Sequence, residues 1–170
     1  MKRSVLALLL ALAINPVYAK GLNPSIILEK ITPIKTTEKS GDEVYINITE
    51  YLPDGKTKST NIPARPLAWA SKDLAKIKAL PLWSATLAEG QSADVIMTFV
   101  EQDNPPYDPD DLLGVVHLKM MNTKQGLKTL WSVREGSIKA PAKNLADSGQ
   151  QHFILTGSQG TYAIDMKLLK

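Results

Sequence analysis

Five carboxylates crowd the stretch "FVEQDNPPYDPDDLLGVV" that runs from Phe99 to Val116: Glu101, Asp103, Asp108, Asp110 and Asp111. Three more, Glu38, Asp42 and Glu43, stand in "TTEKSGDEVY". Carboxylates on one loop repel each other and bring little apolar surface to a core, so their grouping asks for a reason. Two readings stand. They are solvated loop residues, with Asp110 and Asp111 favoured by turn chemistry, or they are ligands for a hard divalent cation. Calcium takes about 6–8 oxygen ligands and accepts irregular geometry, whereas magnesium holds to an octahedron and keeps its waters. Two loops meeting at one end of a fold suit calcium better.

Other chemistry has few tools here. The chain has no cysteine, which removes thiol nucleophiles, redox motifs and Cys-built zinc sites. His117 and His152 are its two histidines, so no HExxH cluster exists, and no GxSxG elbow is present. His117 falls on the outward side of its strand pattern. No positioned nucleophile or base is visible, and the expectation is a non-enzymatic binding protein.

The elements that must position these carboxylates read as strands. In "EVYINITEY", Val44, Ile46 and Ile48 alternate with Tyr45, Asn47 and Thr49, the period of two of a half-buried strand. "TYAIDMKLL" repeats the pattern with Tyr162, Ile164, Met166 and Leu168 on one side, and "GVVHLKM" with Val116, Leu118 and Met120. "SADVIMTFV" is apolar on both faces, as a central strand is. "LPDGK", "AEGQ" and "GSQG" supply turn signals and read as hairpin ends. Only "WASKDLAKIKAL", bounded by Pro66 and Pro81, offers a helical alternative. The expected fold is all-β, a single antiparallel β-sandwich of about eight strands. Trp69, Trp83 and Trp131 each lie in apolar segments and read as core or sheet-packing residues.

The first nineteen residues, "MKRSVLALLLALAINPVYA", have Lys2 and Arg3, an apolar run and small residues before Lys20. They read as a signal peptide, too short to span a membrane comfortably, leaving residues 20–170 as one exported domain, periplasmic or secreted. No later segment reaches the ~18 consecutive apolar residues of a membrane span. Losing Lys2 and Arg3 lowers the formal charge from +3 to +1, so nothing points to a nucleic-acid partner.

The order of these segments resembles a known family. "SGDEVYINITEYLPDG" resembles the first calcium loop and following strand of the conserved-region-2 (C2) calcium- and lipid-binding domain. "ALPLWSATL" is similar to its Asn-Pro-x-Trp-Asn-Glu strand, "VIMTFVEQDNPPYDPDDLLGVV" to its third loop, and "FILTGSQGTYAIDMKLL" to its closing hairpin. The likeness runs from about Ser25 to Leu169. It implies a β-sandwich in which Glu38 and Glu43 stand for the first-loop acids, with Asp42 a neighbouring candidate. Glu101, Asp103 and Asp111 stand for the third-loop acids, three of these five being Glu where the family generally has Asp. It further implies calcium as cofactor and an anionic lipid surface or a protein as partner. Lys56 and Lys58 resemble a basic strand turned towards headgroups, joined by Lys72, Lys76 and Lys78 on one face, or they are lysines that protect a sheet edge. Tyr107, at the loop apex, either packs on its own flanking prolines or enters a membrane interface. A metal-independent interaction or effector protein on the same sandwich is the alternative.

Overall fold

A computed structural model describes residues 21–36, 38, 41–52, 55–103, 109–134, 136–140, 149–158 and 160–170. The leader read over residues 1–19, and Tyr107 and Asp108 of the acidic loop, lie outside these residues. No helix among the described residues is long and apolar enough to cross a membrane.

Among the described residues eleven strands follow in chain order: β1 (Ser25–Thr36), β2 (Glu43–Tyr51), β3 (Thr57–Ile62), β4 (Trp69–Ala70), β5 (Leu80–Ser84), β6 (Ser92–Glu101), β7 (Asp111–Thr123), β8 (Gly126–Val133), β9 (Ile138–Ala140), β10 (Gln150–Thr156) and β11 (Gly160–Leu169). They form two antiparallel sheets packed face to face. One has the order β5-β1-β11-β10-β9; the other has β3-β2-β6-β7-β8, with β4 against β2. The expected sandwich is present, with very short β4 and β9 adding to the strands the sequence announces.

Alternation determines which side chains meet between the sheets. Val44, Ile46 and Ile48 from β2 and Val95, Met97 and Phe99 from β6 are buried, as are Val116, Leu118 and Met120 from β7. They face Ile26, Leu28 and Ile31 of β1, Phe153 and Leu155 of β10, and Tyr162, Ile164 and Met166 of β11. Trp83 and Trp131 belong to this core and Trp69 packs on it half-buried. The helical alternative reduces to a 3₁₀ helix, Ser71–Lys76, that follows β4 and buries Leu74. "LPDGK" and "GSQG" do close the β2–β3 and β10–β11 hairpins. "AEGQ" does not: β5 and β6 lie in different sheets, so this turn carries the chain across the sandwich.

Register places five chain segments at one end of the sandwich. Thr36 ends β1 opposite Gly160; Val44, the second residue of β2, stands opposite Glu101; and Glu101 closes β6 opposite Asp111. The β10–β11 turn joins them, since Ser158 Oγ donates to Asp111 Oδ1 at 3.1 Å. Gly157 makes that turn fit: a Cβ there would stand 2.2 Å from the Leu112 carbonyl oxygen and 2.8 Å from Leu113 Cα. These neighbours are backbone and cannot swing aside. Gly157→Ala is therefore expected to destabilise the fold by about 1–3 kcal/mol. Thermal melting should show a drop of roughly 2–4 °C per kcal/mol for a domain of this size.

Candidate metal centre

The two acidic stretches meet where the chain crosses between sheets. The β1–β2 connection brings Glu38 and Asp42; the end of β6 brings Glu101, and the residues after it bring Asp103. The ladder between β2 and β6 continues one step past the strand, with Gln102 N–H donating to the Glu43 carbonyl at 2.6 Å. That step holds Glu101 in the strand conformation and turns its side chain inward.

Glu38, Glu101 and Asp103 each offer a carboxylate oxygen within 4.8 Å of the others. Two ligands on opposite sides of a calcium ion, each at about 2.4 Å, are at most ~4.8 Å apart. The spacing is that of oxygens able to share one cation. Glu38 is exposed and Asp103 half-buried, whereas Glu101 is only 3% exposed. Its Oε1 is buried and makes no hydrogen bond among the described residues. A buried carboxylate oxygen without a donor is costly, and a cation satisfies it directly.

The electrostatics show the same tension. Burial pushes the Glu101 carboxyl up to about 8, the Asp103 carboxylate adds to this by charge and hydrogen bond, and Glu38 adds a smaller repulsion. A backbone hydrogen bond at Glu43 pulls the other way. At neutral pH Glu101 therefore keeps a proton and shares it with Asp103.

The remaining predicted ligands have other partners, although Asp110 Oδ1 also accepts from the Asp103 N–H at 3.3 Å. Asp42 is fully buried and accepts from the Tyr162 hydroxyl and from the Glu38 N–H, the latter at 3.4 Å, so it braces the loop from below. Asp110 pairs with Arg65 Nη2 at 2.5 Å and accepts from the Tyr45 hydroxyl at 2.9 Å. Arg65 also lies over the Tyr45 ring, 4.9 Å from its centroid. Burial, then the Asp110 hydrogen bond and charge, push the Tyr45 hydroxyl up, against a smaller lowering by Arg65. Asp111 stands opposite Glu101 across the strands and receives Ser158. Glu43 is exposed beside Ala70 of β4. Asp108 lies outside the described residues.

Lys56 and Lys58 belong to a different region. They follow β2 out at Tyr51, the end opposite Glu43, and Lys58 stands across from Glu50 beside the gap between the sheets. Sequence reasoning missed Arg65, Tyr45 and the hydroxyl of Tyr162 as partners of the acidic loops. Nothing local marks Arg65, and Tyr162 announces itself only as a core aromatic.

The Glu101 proton gives stability a definite pH dependence. Below about pH 4.5 both folded and unfolded chains carry it; between 4.5 and about 8 only the folded chain does. The folded state binds more protons across that window, so stability falls as pH rises through it and levels off above. In chelator, the metal-free chain should lose a few kcal/mol from this group between pH 5 and pH 8. Glu101→Gln should flatten that part of the melting-temperature profile, and a profile identical to the parent's would contradict a protonated Glu101. No protein-family model matches this chain and no curated protein sequence matches it, so the geometry of the cluster carries its functional reading.

Proposed function

We propose that this chain is an exported, non-enzymatic β-sandwich module whose acidic end binds calcium and thereby docks onto an anionic lipid surface. The observation that carries the reading is Glu101: a carboxylate buried beside Asp103 and Glu38, with one oxygen that no described donor reaches. A divalent cation there replaces the shared proton, cancels the repulsion among the three carboxylates, and retains coordination positions for a phosphate oxygen. Asp42 and Tyr162 serve as the rigid floor under Glu38 rather than as ligands, and Asp110 serves as an anchor for the loop through Arg65. The resemblance to calcium- and lipid-binding domains supports the same reading. Affinity in the ~10⁻⁴–10⁻³ M range of extracellular modules suits an exported protein.

Melting the fragment from Lys20 to Lys170 at pH 7.5 with calcium, with magnesium and with chelator tests the site. Calcium at about 100 times its Kd stabilises by ~2.7 kcal/mol, which is roughly 5–10 °C here, and magnesium should do much less. Glu101→Gln and Asp103→Asn should each abolish the shift while leaving the fold intact. Sedimentation with phosphatidylserine vesicles should then depend on calcium. A melting temperature indifferent to millimolar calcium would instead favour a metal-independent protein-interaction module on the same sandwich.

A further inference from the structure

One flank of the sandwich is open. β3 is the edge of one sheet and β5 the edge of the other, and between them lies a cleft of about 290 Å³. Ile48, Glu50, Lys58 and Thr60 line it from β2 and β3, and Leu82 and Trp83 from β5. Register puts Glu50 directly across from Lys58 and Ile48 across from Thr60, so all four share the face that elsewhere forms the core. Ile48 is buried, yet Lys58 and Thr60 are exposed.

Two charges of opposite sign thus face a gap between sheets whose other wall is Pro81, Leu82, Trp83 and Ser84. Among the described residues neither makes an ion pair within 4.0 Å or a side-chain hydrogen bond. The indole N–H of Trp83 in the same wall is buried and also lacks an acceptor among the described residues. An inward lysine alone is enough to discourage another strand from adding to an edge. Glu50 serves no such purpose, because it removes the net charge that does the discouraging.

We infer that this cleft binds a small zwitterion, a free α-amino acid with an apolar side chain. Directly opposed residues have Cβ atoms about 4.5–5.5 Å apart. The ammonium nitrogen and carboxylate carbon of an α-amino acid are about 2.5 Å apart, so one ligand meets both side chains at once. Its ammonium donates to Glu50, its carboxylate accepts from Lys58, and its side chain lies on Ile48, Leu82 and Trp83. The volume of about 290 Å³ is at the small end of ligand pockets and suits a single residue. This site is independent of the calcium reading, since it lies on the flank and uses none of the carboxylates at the acidic end.

Titration of the purified chain with L-leucine, followed by tryptophan fluorescence, tests the inference. Leucinamide lacks the carboxylate and 4-methylpentanoate lacks the ammonium, so the parent chain supplies its own controls without any mutation. A saturable change with leucine is expected, lost in Trp83→Phe, with each analogue about tenfold weaker or worse, since each forfeits a charge-assisted hydrogen bond. Glu50→Gln should narrow the gap between leucine and 4-methylpentanoate, and Lys58→Met the gap between leucine and leucinamide. The inference is overturned if leucine, valine and phenylalanine give no saturable change up to about 10 mM, a concentration that detects even weak sites. It is equally overturned if both variants bind leucine as the parent does, or if an extended peptide binds this flank and the free amino acids do not.

Discussion

The hydrogen bond between the Tyr162 hydroxyl and the Asp42 carboxylate holds the acidic end together. Tyr162 belongs to β11 of one sheet and Asp42 immediately precedes β2 of the other, so the bond bridges the sandwich. Both groups are buried, and either one left without its partner would carry the full cost of desolvation. Burial, then the Asp42 hydrogen bond and charge, and lastly the Glu101 charge push the Tyr162 hydroxyl far above its ordinary range, so it stays a donor. Asp42 then serves two further segments: its side chain accepts from the Glu38 N–H and its carbonyl accepts from Ser71 N–H at 2.8 Å. Asp42 thereby ties the Glu38 backbone to both sheets.

A second constraint decides which acids of the long loop face inward. Phe99 stands opposite Gly114, but Val100 stands opposite Leu112, so Leu113 is an extra residue in β7. Leu113 is buried, and the strand changes phase at it. Asp111 consequently shares the side of Glu101, while Asp110 is turned to the outer face where Tyr45 and Arg65 meet it. A one-residue slip exchanges the two faces of a strand. Without the bulge, Asp110 would crowd Glu101 and Asp111 would meet Arg65.

Much of the fold was legible because period-two alternation survives wherever one face is buried and the other wet. Val44 to Ile48, Val116 to Met120 and Tyr162 to Leu168 occupy the sides their alternation announces. Tyr45 breaks the pattern: it lies on the outer side, yet is 6% exposed, because Arg65 covers its ring. That cover comes from a distant segment, which alternation cannot report. The candidate site was legible as two acidic stretches meeting at one end, but not as Glu38, Glu101 and Asp103 in particular. Gly114 was the available hint, since glycine inside a strand often marks a bulge. The crossing turn at "AEGQ" differs from the expected hairpin for a related reason: turn chemistry shows that the chain reverses, not which sheet it enters.

The same geometry separates the lysines from the acids. β2 has nine residues between its Glu43 end and its Tyr51 end, a length of about 27 Å at ~3.4 Å per residue. The screening length at physiological ionic strength is about 8 Å, so Lys56 and Lys58 exert almost no field on Glu101. Neutralisation of that buried carboxyl must be local. Arg65 does not provide it, being held on the outer face by Asp110 and Tyr45. In the metal-free chain a proton shared with Asp103 does so, and in the proposed bound form a calcium ion takes the proton's place. A flat anionic surface that met the acidic end would thus leave β3 and Lys58 well away from it, beside the flank cleft that Lys58 lines.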